Sequence, residues 1–395
     1  VGMAAGVKTA STRLDTTKRN TSAQDFEKAL CGKIIGQEDA IRGVVETYQL
    51  FLANLNPPNR PVSNLLFLGP TGVGKTRVVE AMAEILFGST NACIKIDCGE
   101  FQHSHEIAKL LGSPPGYLGH RETHPILTQE QLNQWHTENL KLTLLLFDEI
   151  EKSSDALWQL LLGIMDKAVV TLGDNRRVDL SRCMIFLTSN LGSGDIARLQ
   201  GEGGLGFTQS NLPLDASLDG KIDKVAVEAA RRKFTPEFMN RIDKTIVFKT
   251  LREEDLKQIL EIELRMIQKR VIIATKPNPF VFVCNREAKE YLLKEGTDSK
   301  YGARHLKRIL EKNLVLPLAN LISTNQIKLG DYVQVELEEG KLIFSKKRDE
   351  DALVPTIIKE YGPEMLITER PIAHRTSPLI VNAGQSPSPV SKQSS

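Results

Sequence analysis

The stretch Leu65-Leu66-Phe67-Leu68-Gly69-Pro70-Thr71-Gly72-Val73-Gly74-Lys75-Thr76 decides how the 395-residue chain is read. Its four leading apolar residues predict a buried strand, and the residues from Gly69 to Thr76 match the glycine-rich P-loop pattern. Each residue type has a physical reason to be there. Glycines let backbone N–H groups turn inward around phosphate oxygens, and the helix that follows presents its positive end to them. Lys75 is placed to reach β- and γ-phosphates, and the Thr76 hydroxyl to hold Mg²⁺.

About seventy residues further on, Leu144-Leu145-Leu146-Phe147 runs into Asp148-Glu149. A wholly apolar run suits a central strand covered on both faces, and two acids at its tip suit a metal-and-water site. This is a Walker B arrangement. Asp148 is expected to hold Mg²⁺ and Glu149 to polarise an attacking water, which makes ATP and Mg²⁺ the expected ligands.

Around these two motifs lie further strand-like runs at Cys93 to Ile96 and Met184 to Thr188, separated by helical or polar segments. The alternation predicts an α/β fold, a parallel P-loop sheet flanked by helices, over residues 25–249. Ahead of it, Ile41, Val44, Val45, Tyr48 and Leu52 trace one face of a helix from Glu38 to Ala53. A smaller α+β domain is expected over 250–348. It has an apolar stripe from Leu256 to Ile267 and a strand at Phe280 to Val283. A helix from Arg304 to Ile322, interrupted or kinked at Pro317, leads to a hairpin around Glu339-Gly340. Residues 1–24 and 349–395 lack periodicity and read as disordered tails.

With the motifs placed, residues 34 to about 345 resemble the AAA+ module of Clp-type unfoldases, especially the second ATPase module of ClpB, ClpA and ClpC. The resemblance implies roles for four segments. Ile34-Ile35-Gly36-Gln37 is similar to the segment that packs on adenine. Thr188-Ser189-Asn190 is similar to the first-sensor motif, with Asn190 orienting water. Phe238 to Asp243 resembles the arginine-finger segment, in which Arg241 reaches the nucleotide of a neighbouring subunit. Gly302-Ala303-Arg304 resembles the second-sensor motif, with Arg304 on the γ-phosphate of its own subunit. Guanidinium groups suit both tasks because phosphoryl transfer develops charge that a cation stabilises once water is excluded.

The same resemblance makes Gly116-Tyr117-Leu118-Gly119 an axial-pore loop whose tyrosine grips an extended polypeptide. After it, His120-Arg121-Glu122-Thr123-His124 departs from the family's acidic, glycine-rich run. The implied activity is ATP-driven threading of protein through a homo-oligomeric, hexameric ring. The chain is expected to be a stand-alone single-module member, without the adaptor domain and first module of the large Clp chaperones. Leu205-Gly206-Phe207 occupies the place where protease-linked members dock a ClpP-like peptidase. A role as ATPase regulatory subunit of a ClpP-like peptidase, with an adaptor or that peptidase as partner, is therefore an alternative, and a nucleotide-gated switch or scaffold like the clamp loaders is another.

Bulk composition narrows the field. With 51 basic and 49 acidic residues the net charge is +2, so no overall field favours nucleic acid or an anionic membrane. Five cysteines scattered at 31, 93, 98, 183 and 284 do not form a secreted disulfide framework and point to a reducing cytoplasm. No apolar run is long enough to span a bilayer. Cys98, His103, His105, His120 and His124 lack the paired spacing of a zinc site, and His103 and His105 read as the start or cap of a helix from Glu106 to Leu111. The basic clusters Arg176-Arg177 and Lys346 to Arg348 carry no interleaved aromatics and read as solvated faces.

Overall fold

A computed structural model describes residues 19–113, 125–196, 216–275, 280–297, 302–327 and 331–347. Its large domain is built on five parallel strands: β1 (Ser63–Leu68), β2 (Ile94–Asp97), β3 (Thr143–Asp148), β6 (Cys183–Ser189) and β7 (Lys244–Val247). They lie in the order β2-β3-β6-β1-β7. Between β3 and β6 a short antiparallel pair, β4 (Val169–Thr171) and β5 (Arg177–Asp179), forms a separate ribbon that the sequence did not announce.

The apolar runs follow from the sheet's burial on both faces. Along β1, Leu66 and Leu68 point into one core with Leu145, Phe147, Ile185 and Leu187. Leu65 and Phe67 point into the other with Leu144, Leu146, Met184 and Phe186. Two polar residues extend β1 at its start and are also buried: the N–H of Asn64 donates to Asp243 at 2.7 Å, and its side-chain amide donates to the Arg241 carbonyl at 3.0 Å.

Helix α1 (Thr21–Cys31) begins four residues ahead of the domain boundary expected at 25, which is a correction to the extent of the N-terminal tail. The Asn20 side chain caps its first turn, and Phe26 and Leu30 are fully buried. Phe26 meets Tyr48 of α2 (Glu38–Leu52) with ring centroids 4.6 Å apart. Helix α3 (Lys75–Phe87) rises directly from the P-loop, and α4 (Asp155–Lys167) and α5 (Ala216–Lys233) follow.

Beyond residue 250 lie α6 (Glu253–Ala274), β8 (Val281–Cys284), α7 (Arg286–Gly296), α8 (Ala303–Leu310), α9 (Leu316–Ser323), β9 (Tyr332–Glu338) and β10 (Lys341–Lys347). Strand β9 pairs with β8 in parallel and with β10 in an antiparallel hairpin. The helix expected from Arg304 to Ile322 is interrupted as the proline suggests, two helices being joined by a π turn over Glu311–Val315. Pro317 has no N–H to give and its ring crowds the preceding turn, so the helix widens there before resuming. Among the described residues no helix is long and apolar enough to cross a membrane.

Candidate functional site

Strand order sets the geometry. The P-loop leaves the end of β1, Asp148 ends β3, and Asn190 follows β6, the strand lying between those two. All three therefore emerge side by side at the carboxyl edge of a parallel sheet, where open α/β folds take their ligands. The loop itself is pressed against the end of β7. A Cβ on Gly69, whose φ is +138°, would stand 2.6 Å from the Phe248 carbonyl oxygen, so only glycine lets the loop turn there.

Lys75 opens α3 and is only 7% exposed. Its ammonium donates to the carbonyls of Gly69 and Pro70, each at 2.7 Å, and to Asn190 Oδ1 at 2.8 Å. Burial pulls its pKa down to about 8, with Glu151, Asp148 and Glu149 opposing the shift. Such a desolvated cation gains most from an anion brought into the same space.

The Walker B acids sit one bond network away. Asp148 accepts from Thr76 Oγ1 at 3.3 and 3.4 Å and lies 3.1 Å from Lys95 Nζ. Thr188 Oγ1 donates to Asp148 at 2.5 Å and accepts from the Glu149 N–H at 3.1 Å, so one hydroxyl orients both acids. Glu149 adopts the left-handed conformation, with φ +58° and ψ +48°, which is unusual for a side chain of its size. Its carboxylate accepts from Asn190 Nδ2 at 3.2 Å and from Lys152 Nζ at 2.5 Å. The amide of Asn190 thus spans the P-loop lysine and the Walker B glutamate, and its backbone N–H is held by Glu151 at 3.1 Å.

A cavity of about 290 Å³ opens over this edge, and the small domain supplies its opposite wall. Leu251, Ile259 and Ile262 face Ile34 and Ile35 across it, an apolar slot of the kind a planar base fills. Arg304 also lines it, close enough to Lys75 to depress that group's pKa. Among the described residues nothing pairs with the Arg304 guanidinium. Two cations directed at one hollow are costly together unless a polyanion joins them.

The cavity therefore gathers Ile34, Ile35, Thr71, Gly72, Val73, Gly74, Lys75, Thr76, Asp148, Glu149, Asn190 and Arg304. Gly69 and Pro70 lie just behind, Pro70 on a second hollow against the small domain. Arg241 is not part of the cavity wall: it ion-pairs with Asp166 at 2.6 Å and Glu237 at 3.0 Å. Gly116, Tyr117, Leu118, Gly119 and the segment Leu205-Gly206-Phe207 lie outside the described residues. Thr188, Lys95, Glu151 and Lys152 hold the motif residues by hydrogen bonds or ion pairs, and sequence reasoning gave them no role. Thr188 was within a quoted motif, whereas Lys95 became visible only through the pairing of Asp97 with Asp148 in β2 and β3.

The weaker candidates resolve simply. His103 precedes a 3-10 turn over Ser104–Ile107, and its N–H donates to Glu106 at 2.8 Å, so it begins a helical segment as expected. Among the described residues no group of His, Cys, Asp and Glu side chains is arranged to hold a metal by itself. Arg176 is engaged by Asp174 at 2.7 Å on the exposed ribbon.

Comparison with known proteins agrees with this geometry. Residues 60–245 match the family described as AAA domain (Cdc48 subfamily), and 251–335 match the C-terminal, D2-small domain of ClpB protein. The chaperone protein ClpB 1 of Synechococcus elongatus is 34% identical over 320 residues, which is 81% of this chain and 34% of that protein. Heat shock protein 104 of Schizosaccharomyces pombe is 31% identical over 341 residues, 86% of this chain and 35% of that one. Among solved structures, the Saccharomyces cerevisiae Hsp104–ADP complex superposes with a TM-score of 0.68 at 31% identity, covering 82% of this chain and 52% of that chain. The extended S. cerevisiae Hsp104:casein complex gives 0.68 at 29% identity, covering 83% and 53%.

Fold, cavity and family matches together define an AAA+ ATPase module, a nucleotide-binding large domain followed by a D2-small domain. Within that class its small domain is of the ClpB D2 kind, and the chain is similar to ClpB and Hsp104 over most of its own length. It spans about a third of the length of the curated relatives it matches.

Proposed function

We propose that the chain hydrolyses ATP with Mg²⁺ and, as one subunit of a hexameric ring, uses that cycle to unfold or disaggregate protein by drawing polypeptide through a central pore. The observation that carries the catalytic half is the bridge Lys75–Asn190–Glu149 inside a cavity that Arg304 also lines. It brings Lys75, Asn190 and Glu149 within one another's reach, which supports roles for them as phosphate-binding cation, water-orienting amide and general base.

The donor set fits Mg²⁺: a hydroxyl and a carboxylate, both hard oxygen ligands, converge at Thr76 and Asp148 within 3.4 Å. When bound there the ion neutralises charge on β- and γ-phosphate oxygens. Ile34 and Ile35 with Ile259 and Ile262 would hold adenine, and the P-loop N–H groups with Lys75 the phosphates. Glu149, aimed by Asn190 and by Thr188, would take the proton of the attacking water. Arg304 would stabilise the charge that grows on the γ-phosphoryl group from within the subunit, and Arg241 from the next.

Support for a polypeptide substrate comes from two sources. Similar structures are complexes of Hsp104 with casein, and Gly116-Tyr117-Leu118-Gly119 resembles an axial-pore loop. A Glu149→Gln variant tests the catalytic half: it should bind ATP within about threefold of the parent and turn over at least about a hundredfold more slowly. Unchanged turnover would contradict the assignment. Sizing with a slowly hydrolysed ATP analogue, then a reporter-unfolding assay with Tyr117→Ala, tests the ring and the threading.

A further inference from the structure

The small-domain wall of the cavity carries a carboxylate that the hydrolytic scheme does not use. Glu263 lines the cavity from α6, its side chain only 14% exposed, and one of its oxygens lies 2.9 Å from Lys307 Nζ of α8. The second oxygen accepts no hydrogen bond from the described residues. A carboxylate oxygen beside a cavity, with no donor among the described residues, can take one from whatever enters.

Helix arithmetic locates it along the cavity. Lys307 follows Arg304 by three residues and so lies one turn away on the same face of α8. Ile259 precedes Glu263 by four residues and so lies one turn away on the same face of α6. The wall therefore runs from the Arg304 guanidinium, through the Glu263–Lys307 pair, to the apolar slot. A nucleotide has the same order: anionic phosphates, a hydroxyl-bearing sugar, then a flat apolar base.

We infer that Glu263 is a specificity-determining residue that accepts hydrogen bonds from the ribose hydroxyls of the bound nucleotide, making the site selective for ribo- over 2′-deoxyribonucleotides. An ionised carboxylate has the lone pairs to receive vicinal hydroxyls, and dinucleotide-binding folds use an acidic residue in the same way. Lys307 holds the carboxylate in place. The inference rests on the nucleotide reading above.

The test measures dissociation constants of the full chain for ADP and 2′-deoxy-ADP, which avoids hydrolysis. The parent should prefer ADP by roughly tenfold, the worth of a hydrogen bond to a charged acceptor. Glu263→Ala should lose that preference by binding ADP at least about tenfold more weakly, while 2′-deoxy-ADP, which keeps the 3′-hydroxyl, weakens by a smaller factor. Lys307→Met removes the ion pair but keeps the acceptor, and should retain the preference. Equal binding of the two nucleotides by the parent overturns the inference, as does a preference that survives Glu263→Ala. A uniform loss for both ligands in both variants would mean that the pair only latches α6 to α8. Purine riboside diphosphate, which lacks the 6-amino group, supplies the remaining arm: if Glu263→Ala erases the gap between it and ADP instead, the carboxylate reads the base and the ribose assignment falls. Failure of the parent to bind ADP at all would count against the nucleotide site itself, a result distinct from all of these.

Discussion

The backbone N–H of Ala303 donates to the carbonyl oxygen of Gly72 across 3.2 Å, so the small domain touches the phosphate loop main chain to main chain. Beside it, Gly302 has φ +51°, and a Cβ there would stand 3.0 Å from the same Gly72 oxygen. Gly302→Val should therefore push α8 and Arg304 off the loop while leaving both domain cores intact. Nucleotide affinity is expected to fall about tenfold or more, consistent with backbone strain of roughly 1–3 kcal/mol. Titration with ADP, alongside thermal melting to show that the domains still fold, checks this.

Thr188 offers a second test because a single hydroxyl serves both Walker B acids. Thr188→Val keeps the shape and strands the Glu149 N–H without its acceptor, at a cost of about 1–3 kcal/mol. Turnover should drop at least about tenfold with little change in ATP affinity, since the acids are misaimed and the phosphate loop is untouched. Steady-state hydrolysis over a range of ATP concentrations separates the two quantities.

Lys75 gives a pH dependence with two opposite signs. Its pKa of about 8 lies below that of a free lysine, so in the folded protein it sheds its proton as pH rises through 8. Phosphate binding needs the charged form, so ADP affinity should be level below pH 8 and fall towards tenfold per pH unit above it. Folding shows the reverse: the unfolded chain holds this proton up to about pH 10.4, so from pH 8 to there Lys75 makes the ligand-free protein progressively more stable. Calorimetric titration in two buffers of different ionisation enthalpy should show proton uptake on binding near pH 8.5, and none at pH 7.

Arg241 is parked against Asp166 at 2.6 Å, with a further contact to Glu237, and is not among the residues that line the nucleotide cavity of its own subunit. If it serves a neighbour, Arg241→Ala and Glu149→Gln should each be inactive alone. Mixed rings should regain hydrolysis, because an Arg241→Ala subunit keeps its own Glu149 and can borrow a guanidinium from the Glu149→Gln subunit beside it. A mixture that stays inactive would assign Arg241 a structural role within its own chain.

The central strands were legible because both faces are buried: β1, β3 and β6 show as unbroken apolar runs, and their cores divide residue by residue between the two sides. Strand β7 was not, since only Ile246 and Val247 of its four residues are buried at the sheet's edge. The ribbon β4–β5 escaped for the same reason, with Val170 and Val178 its only buried positions. Within the site, Lys75, Thr76, Asp148 and Glu149 could be read from motifs because their chemistry demands local spacing, whereas Asn190 came from the resemblance to the Clp module. Lys95, Gln37 and Glu263 could not, because each acts across strands or between domains that only the folded chain brings together.

Gln37 shows what that hidden layer does. It is 4% exposed, and its amide donates to the Val73 carbonyl at 3.3 Å and the Lys249 carbonyl at 2.9 Å while accepting from the Lys249 N–H at 3.1 Å. One side chain therefore rivets the phosphate loop to the connector that leads into the small domain. Any tilt of that domain would have to tear a buried amide from its partners or drag the loop along with it, so a change at either end would be felt at the other.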